Sequence, residues 1–422
     1  LSACRLPVEI LSRILSYLDA ATLICLSGVS RLFRRLANDN AVWHKIYTLH
    51  FGSQWKPKAA GVAALKAGLR HWKEQYLWTV VGQEMNRCRR ELRDLSAHTG
   101  LPRQTEQVLR QLNVSWELTV ADCFGRRHTF QQSHACFYDA SVIVCWSGGR
   151  FPSYRHFCSI RLHGVRRVTP RCSGDKRSCW RSLLSELQVK PRPDQVMGKD
   201  QLISLVHVSG FLVGVWRGWR GVAFVMTSLH FHRLVERSLL GMPHCPYSEL
   251  VDRPPPGESG PAVGLHGYAL HFVLHGIGTK IVSGRFCQFS RQTVQIRDGL
   301  MELTAICSSD LHQHRALSGG IGLPWWAGSL KGSVQNCCFL TVTLLEEFQK
   351  PLWCISAPVC LRMAPANPAC DYSGEHYLLE RRDPEGEVVL RLVWLSEQQQ
   401  FFLVSLVVAV PVSKVNRHLG TA

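Results

Sequence analysis

A change in hydrophobic periodicity, which begins after Gly100-Leu101-Pro102 and is complete by Trp116, constrains the fold of this 422-residue chain more than any other feature. Before that point, apolar residues recur at spacings of three and four, which is typical of amphipathic helices. After it, short apolar runs are separated by Gly, Pro, Asn, Asp and Ser, which is typical of antiparallel strands joined by turns. The sequence therefore predicts an α+β protein: helices first, then a large and mainly antiparallel β region that is sandwich-like or barrel-like.

The strand-like runs recur throughout the second part of the chain. The clearest predicted strands are Ser141–Trp146, Leu212–Trp216, Val222–Met226, Tyr268–Leu274, Lys280–Phe286, Leu300–Ile306, Cys338–Leu344, Trp353–Val359, Glu387–Trp394 and Phe401–Val410. Residues 383–386, Asp-Pro-Glu-Gly, predict a turn before the Glu387 run, because Pro presets φ and Gly tolerates positive φ. The apolar spacing of Ser178–Leu187 predicts one helix inside this region.

Four short helices are predicted within the first 50 residues. Pro7 opens the first, since a proline at the first helical position loses no hydrogen bond. Asp19, Ser30 and either Asn38 or Asp39 are the candidate N-caps of the next three helices, because their side-chain oxygens can accept from free backbone N–H groups. Further helices are predicted within residues 60–95 and 105–112.

Composition indicates a packed globular protein, with 46% apolar and 19% charged residues. Seventeen cysteines are spread along the chain without a dense frame, so we expect mostly buried free thiols and a cytoplasmic or nuclear location. The best candidate for a membrane span, Phe401–Val412, is too short and contains Ser405 and Pro411, so we predict no membrane span. Position 1 is Leu, so we expect the natural chain to begin upstream.

Motifs for catalysis, metal binding and cofactor binding were sought and gave no candidate residues. No two cysteines have the two-residue separation of a zinc knuckle, and Cys337 and Cys338 would point to opposite faces of a strand. The glycine-rich run at 319–322 is followed by Leu323 and Pro324 rather than by a helix start. We therefore expect no cofactor and no catalytic role, and a β-barrel enzyme or ligand binder with a buried pocket stays an alternative.

Half of the net charge of +18 lies in residues 150–192, which contain eleven Lys or Arg against two acidic residues. Tyr154, Phe157 and Trp180 are interleaved with these charges, as a surface that stacks on single-stranded nucleic acid would require. An acidic protein partner is the favoured interpretation, nucleic acid is the less favoured alternative, and codon usage alone could also produce the arginine excess. The candidate binding residues are Arg161, Arg166, Arg167, Arg171, Arg177 and Arg181.

The most specific signal is a motif in the first 50 residues. It reads Leu6-Pro7-x-Glu9-Ile10-Leu11-x-x-Ile14-Leu15-x-Tyr17-Leu18-Asp19, then Leu23 to Leu26, then Val29-Ser30-Arg31-x-Phe33-x-x-Leu36-Ala37, then Trp43. This pattern resembles the F-box, although Phe33 stands where many F-boxes carry Trp. About 40 residues cannot form a self-sufficient core, so part of the apolar surface should be covered by a partner.

The resemblance implies a substrate receptor of an SCF-type ubiquitin ligase. The F-box would bind a Skp-type adaptor, cullin and RING subunits would join through that adaptor, and the C-terminal region would hold an unknown substrate protein. It divides the chain into an F-box module (1–50), a helical linker (51–113) and a β-rich substrate-recognition domain (114–422). The residues implied at the adaptor interface or in the core beneath it are Leu6, Pro7, Ile10, Leu11, Ile14, Leu18, Leu23, Leu26, Val29 and Phe33.

Overall fold

The fold is that of a computed structural model of the full chain. It describes residues 6–27, 29–52, 72–77, 79–80, 94, 103–111, 113–167, 179–190, 196–219, 221–230, 268–287, 289, 294–345, 351–367 and 370–419.

Four short helices begin the described chain: α1 (Val8–Leu15), α2 (Ala20–Ser27), α3 (Arg31–Ala37) and α4 (Asn40–Phe51). The predicted caps of the last three are confirmed, because side-chain oxygens of Asp19, Ser30 and Asp39 accept backbone N–H groups of α2, α3 and α4 at 3.0, 3.2 and 3.0 Å. Pro7 is the N-cap of α1 rather than its first helical residue, so that prediction was wrong by one position.

Two further helices are α5 (Thr105–Gln111), which precedes the first strand, and α6 (Val412–Leu419), which follows the last. Residues 72–77 and 79–80 are also helical, as predicted for part of 60–95. The rest of the predicted helical linker lies outside the described residues.

The β region contains 23 described strands. The first ten are β1 (Val114–Asp122), β2 (Arg127–Gln131), β3 (His134–Phe137), β4 (Ser141–Ser147), β5 (Phe157–Arg167), β6 (Cys179–Gln188), β7 (Val196–Lys199), β8 (Ile203–Val208), β9 (Phe211–Trp216) and β10 (Val222–His230). The others are β11 (Ala269–His275), β12 (Lys280–Cys287), β13 (Val294–Arg297), β14 (Leu300–Ile306), β15 (Arg315–Ala316), β16 (Gly322–Ala327), β17 (Leu330–Gln335), β18 (Cys337–Leu345), β19 (Pro351–Cys360), β20 (Arg362–Met363), β21 (Glu375–Asp383), β22 (Gly386–Leu395) and β23 (Gln400–Pro411).

All ten strands predicted from the sequence are confirmed, with ends that differ by a few residues. The predicted 383–386 turn is also confirmed, since Asp383 pairs with Gly386 across a two-residue connection. The predicted helix at Ser178–Leu187 is wrong, because this segment is strand β6. Its helix-like spacing is overridden by antiparallel pairing with β5, which runs from Ser159 opposite Gln188 to Arg167 opposite Cys179 with one register shift after Leu162.

The strands form four antiparallel sheets and one hairpin. Sheet I has the order β2-β1-β5-β6, sheet II β3-β4-β10-β9-β8-β7, sheet III β12-β11-β18-β19, and sheet IV β13-β14-β23-β22-β21-β20, with β15 also paired to β23. β16 and β17 form a separate hairpin. In the described part of the chain each sheet is open at both ends, so the sandwich prediction is confirmed and the barrel-like alternative is wrong.

The sheets are stacked in the order I, II, III, IV. Apolar side chains of sheets I and II form one core, and those of sheets III and IV form another. A third cluster joins the second face of sheet II to the hairpin and to sheet III, with Phe224, Trp325 and Phe339 among its buried members. Sheets II and III are therefore covered on both faces, which explains why β11 and β18 are buried along their whole length.

A small polar layer lies between sheets II and III. Thr341 on β18 lies at its centre, with its Oγ1 3.1 Å from Ser141 Oγ, 2.8 Å from Ser356 Oγ and 2.9 Å from His275 Nε2. Ser228 bonds to Ser356 from the sheet II side. These bonds satisfy hydroxyl groups that burial between two sheets would otherwise leave without partners.

Candidate adaptor-docking site

Helix α1 carries apolar side chains on two faces, and the chain covers only one of them. Leu11 and Leu15 are 5% and 2% exposed and pack into the helical core. Ile10 and Ile14, one helical turn apart on the other face, are 46% and 48% exposed. An amphipathic helix of a protein that covers its own apolar surface would show one apolar face, so the second face of α1 indicates a partner.

The core beneath this face is built around Trp43 of α4. Its indole is fully buried, and its Nε1–H donates to the carbonyl of Ala37 at 2.7 Å. Tyr76, from the helical residues 72–77, lies against Trp43 with ring centroids 5.5 Å apart, and Leu23 of α2 is fully buried in the same cluster. The core thus holds α1 in place from below, while its outer face stays accessible.

Tyr76 also connects α4 to the helical residues 72–77. Its hydroxyl lies 2.8 Å from His50 Nδ1. Burial, with the negative charge of Asp19 as a second cause, raises the pKa of Tyr76 to about 12, so this phenol stays neutral at physiological pH. The helical core therefore extends beyond the predicted 1–50 module.

Exposure divides the ten residues implied by the F-box resemblance into three groups. The exposed ones are Leu6, Pro7, Ile10, Ile14 and Val29. The buried ones are Leu11 and Leu23. The half-buried ones, which pack against the core while keeping part of their surface accessible, are Leu18, Leu26 and Phe33.

Two further exposed apolar residues of this region were missed from the sequence. Val8 is 41% exposed at the start of α1, and Tyr17, which follows α1, is 75% exposed. Tyr17 has the ammonium group of Lys45 over its ring at 5.0 Å, and the same ammonium lies 3.2 Å from Ser16 Oγ. The i+3 and i+7 spacing of Tyr17 from Ile14 and Ile10 was the signal that could have identified it.

Four of the six candidate arginines of the basic stretch lie on strands of sheet I, and the side chains of two of them, Arg161 and Arg181, are described. Arg161 on β5 forms an ion pair with Glu186 at 2.7 Å, and Arg181 on β6 forms one with Glu117 at 3.3 Å. Arg181 also approaches His163, whose pKa burial lowers to about 4, with the charges of Arg181 and Arg161 as further causes. The two candidate arginines whose side chains are described are thus already engaged by acidic residues of the chain.

The side chains of the other four candidate arginines are not described. Arg166 and Arg167 belong to β5, but only their backbone is described. Arg171 and Arg177 lie outside the described residues. Tyr154 and Phe157, two of the three aromatic residues predicted to stack on bases, are buried in the core between sheets I and II, so the stacking prediction is wrong for these two.

The described residues offer neither a metal site nor a membrane-spanning helix. Among them, no three His, Cys, Asp or Glu side chains are grouped as metal ligands. No helix within the described ranges is long and apolar enough to span a membrane.

Comparison with known proteins agrees with the geometry of the helices. The F-box-like family model matches residues 3–49, which include α1 to α3 and most of α4. The chain is 36% identical over 436 residues to F-box only protein 15 of Bos taurus, covering 99% of this chain and 93% of that relative. It is 34% identical over 434 residues to F-box only protein 15 of Homo sapiens, covering 99% and 85%. The chain belongs to the F-box only protein 15 family.

A second, shorter similarity covers 80 residues. There the chain is 38% identical to the "probable E3 ubiquitin ligase complex SCF subunit sconB" of Arthroderma otae, which corresponds to 19% of this chain and 12% of that protein.

Proposed function

We propose that this chain is the substrate-recognition subunit of an SCF-type cullin–RING ubiquitin ligase, and that it binds a Skp-type adaptor through α1–α4. The exposed apolar face of α1, on helices that match the F-box-like family model, is the observation that carries the proposal. The similarity to a probable SCF subunit supports the same assembly, in which cullin and RING subunits join through the adaptor.

The exposed residues of the implied set are the proposed direct contacts, because only accessible apolar surface can be buried by a partner. The buried residues Leu11 and Leu23 support these contacts from the core. Val8 and Tyr17 extend the proposed contact face along α1. Docking of this kind places an apolar helix face in a groove of the partner.

Replacing Ile10 and Ile14 together by Asp tests the adaptor interface. Both side chains are about half exposed, so the variant should fold, while two charges at the interface centre should abolish co-purification of the adaptor and the cullin. Leu49→Asp is the matched control, because Leu49 is an exposed leucine of α4 outside the proposed contacts. Unchanged co-purification with the double variant would contradict the proposal.

The β region is the proposed substrate-binding part of the chain. In this arrangement the associated RING subunit and conjugating enzyme perform the chemistry, and the chain raises the effective concentration of the substrate without catalysing a step itself. We also propose that the chain acts in the cytoplasm or the nucleus, which is supported by the free thiols of all eleven cysteines whose side chains are described.

Trapping of bound proteins tests this division of labour. With the cullin step blocked, proteins that associate with the intact chain are identified and compared with those bound by the Ile10→Asp/Ile14→Asp variant. Substrates should stay bound to the variant while the adaptor and cullin are lost. If the trapped proteins disappear together with the adaptor, the β region is not their binding site.

We propose an acidic protein, rather than a nucleic acid, as the partner of the basic surface. Tyr154 and Phe157 are buried, so two of the three interleaved aromatic residues have no free ring face on which bases could stack. Nuclease treatment should leave the trapped proteins unchanged. Their loss after that treatment would instead favour the nucleic-acid alternative.

A further inference from the structure

Two cysteine side chains face each other across sheet III. Cys337 begins β18, Cys360 ends β19, and the two residues are directly opposite in the antiparallel register. Their Sγ atoms are 3.1 Å apart. The sequence alone drew attention to the adjacent Cys337 and Cys338, but the fold pairs Cys337 with a residue on the next strand.

The backbone at this pair already has the spacing that a disulfide needs. Leu361 donates its N–H to the carbonyl of Asn336 at 2.8 Å, so the next pair inward, Cys337 and Cys360, is a non-hydrogen-bonded pair. Such pairs have Cα atoms about 4.5 Å apart, within the range of roughly 4.4–6.8 Å that disulfides span. Closing an S–S bond here requires side-chain rotation and little backbone movement.

The neighbouring cysteines lack this arrangement. Cys338 lies opposite Val359 and packs into the core between sheets III and IV. Cys354 on β19 lies opposite Thr343. Neither therefore faces a thiol across the β18–β19 pair, which makes them matched controls for Cys337 and Cys360.

The pair lies where the edge strand of sheet II meets sheet III. The carbonyl of Met197 on β7 accepts from Cys360 Sγ at 3.3 Å and from Cys337 Sγ at 4.0 Å. A Cβ added to Gly198 would lie 2.7 Å from Cys337 Sγ, so β7 packs tightly on this thiol. Cys337 is buried whereas Cys360 is half-buried, so a reagent from solvent meets Cys360 first.

The two thiols differ in acidity, and the difference favours reaction at Cys360 before Cys337. The hydrogen bond from Cys337, helped by the charge of Arg362, lowers the pKa of the Cys360 thiol. The same hydrogen bond, together with burial, raises the pKa of Cys337. The thiolate is the reactive form, so Cys360 is the attacking group and Cys337 the resolving one.

We propose that Cys337 and Cys360 form a reversible oxidation site that closes to a cross-strand disulfide with a low-molecular-weight disulfide, such as oxidised glutathione, as the oxidant. The Cys360 thiolate attacks one glutathione sulfur, and the first glutathione thiolate leaves. Cys337 then loses its proton, attacks Cys360 Sγ and expels the second. Two protein thiols are oxidised to one S–S bond, and one glutathione disulfide is reduced to two thiols.

The first step also prepares the second. Once Cys360 carries glutathione, it is no longer a thiolate that accepts a hydrogen bond from Cys337. That hydrogen bond was the largest cause of the raised pKa of Cys337. Closure then removes both S–H donors from the Met197 carbonyl. Oxidation of the pair therefore changes the hydrogen bonding of β7, at the junction of sheets II and III.

The test uses the full chain in buffers of increasing oxidised-to-reduced glutathione ratio. Remaining free thiols are alkylated, and the digest is examined by mass spectrometry. Oxidation should remove two alkylated thiols, produce a peptide linked through Cys337 and Cys360, and be reversed by a dithiol reductant. Cys354→Ser and Cys338→Ala should keep this link.

Two variants separate the roles within the pair. Cys337→Ser should hold a glutathione adduct on Cys360, whereas Cys360→Ser should form neither the adduct nor the link. If a variant fails to fold, the presence or absence of the linked peptide in the wild-type chain still tests the proposal. Absence of the linked peptide at every ratio, an adduct on wild-type Cys360 that never resolves, or a link that survives Cys360→Ser would each overturn it.

Discussion

Helix α1 and strand β18 both carry apolar side chains on two faces, yet they differ in what covers the second face. In β18 the chain supplies both covers, since sheet IV packs on one side and sheet II with the hairpin on the other. In α1 the chain covers Leu11 and Leu15 and leaves Ile10 and Ile14 about half exposed. An excess of apolar residues therefore indicates a buried central layer in one region and a binding surface in the other.

We expect side-chain truncations to have different consequences in the central sheets and on the outer face of α1. In the central sheets every apolar side chain contributes to folding, so a truncation should affect stability. On the outer face of α1 a truncation should affect assembly and leave folding unchanged. Three measurements test this distinction.

The largest effect is expected in the doubly covered layer. Phe272 on β11 is buried in the core between sheets III and IV, so Phe272→Ala should lower the free energy of unfolding by about 3–5 kcal/mol through lost burial and a residual cavity. Chemical denaturation followed by intrinsic fluorescence measures this change. Ile296→Ala on β13, where the side chain is 69% exposed, is the control and should stay within about 0.5 kcal/mol. Similar values for the two variants would refute the idea of a rigidly packed central layer.

The features of the fold that could be predicted from the sequence are those that depend on residues close together in the chain. The caps at Asp19, Ser30 and Asp39 were predictable because each acts within three residues of itself. The helix predicted at Ser178–Leu187 failed because antiparallel pairing with the preceding strand β5 imposes the strand conformation, and that pairing lies outside the segment whose apolar spacing was considered. Local propensity cannot anticipate such pairing.

The candidate site shows the same limit. The F-box resemblance implied ten residues at a proposed adaptor interface or beneath it, but the sequence could not sort them, because both faces of α1 are apolar and only the packing of the helices decides which face is covered. The Cys337–Cys360 pair was missed for a related reason. Its members are 23 positions apart, and only the register of β18 against β19 brings them together.

The second prediction compares two neighbouring residues of α1. Leu15→Ala should cost about 2–5 kcal/mol of unfolding free energy, because Leu15 is 2% exposed in the helical core. Ile14→Ala should change folding by no more than about 0.5 kcal/mol and weaken adaptor binding by about 1–2 kcal/mol, roughly tenfold. Thermal unfolding and binding titration with purified adaptor measure the two quantities. If Ile14→Ala destabilises the fold as much as Leu15→Ala does, the outer face of α1 is not free for a partner.

The third prediction uses the polar layer that lies between sheets II and III. Burial lowers the pKa of His275 to about 4, and its Nε2 lies 2.9 Å from Thr341 Oγ1, so the imidazole is neutral in the folded chain. Tyr138, whose ring lies 4.1 Å from His275, is neutral as well, because burial raises its pKa to about 12. The layer therefore has no charge at this point with which to hold a protonated His275.

The direction of the pH effect follows from this lowered pKa. Between pH 6.5 and about 4 the unfolded chain binds a proton at His275 that the folded chain does not, so the contribution of this residue is fully present above pH 6.5 and is lost as the pH falls towards 4. At about 1.4 kcal/mol per pKa unit, the loss is about 3 kcal/mol. His275→Gln should therefore flatten the dependence of unfolding free energy on pH in this window, while His312→Gln, at an exposed position, should leave it unchanged. An unaltered pH dependence in His275→Gln would mean that water reaches the layer between sheets II and III. Sheet II would then cover sheet III less completely than sheet IV does.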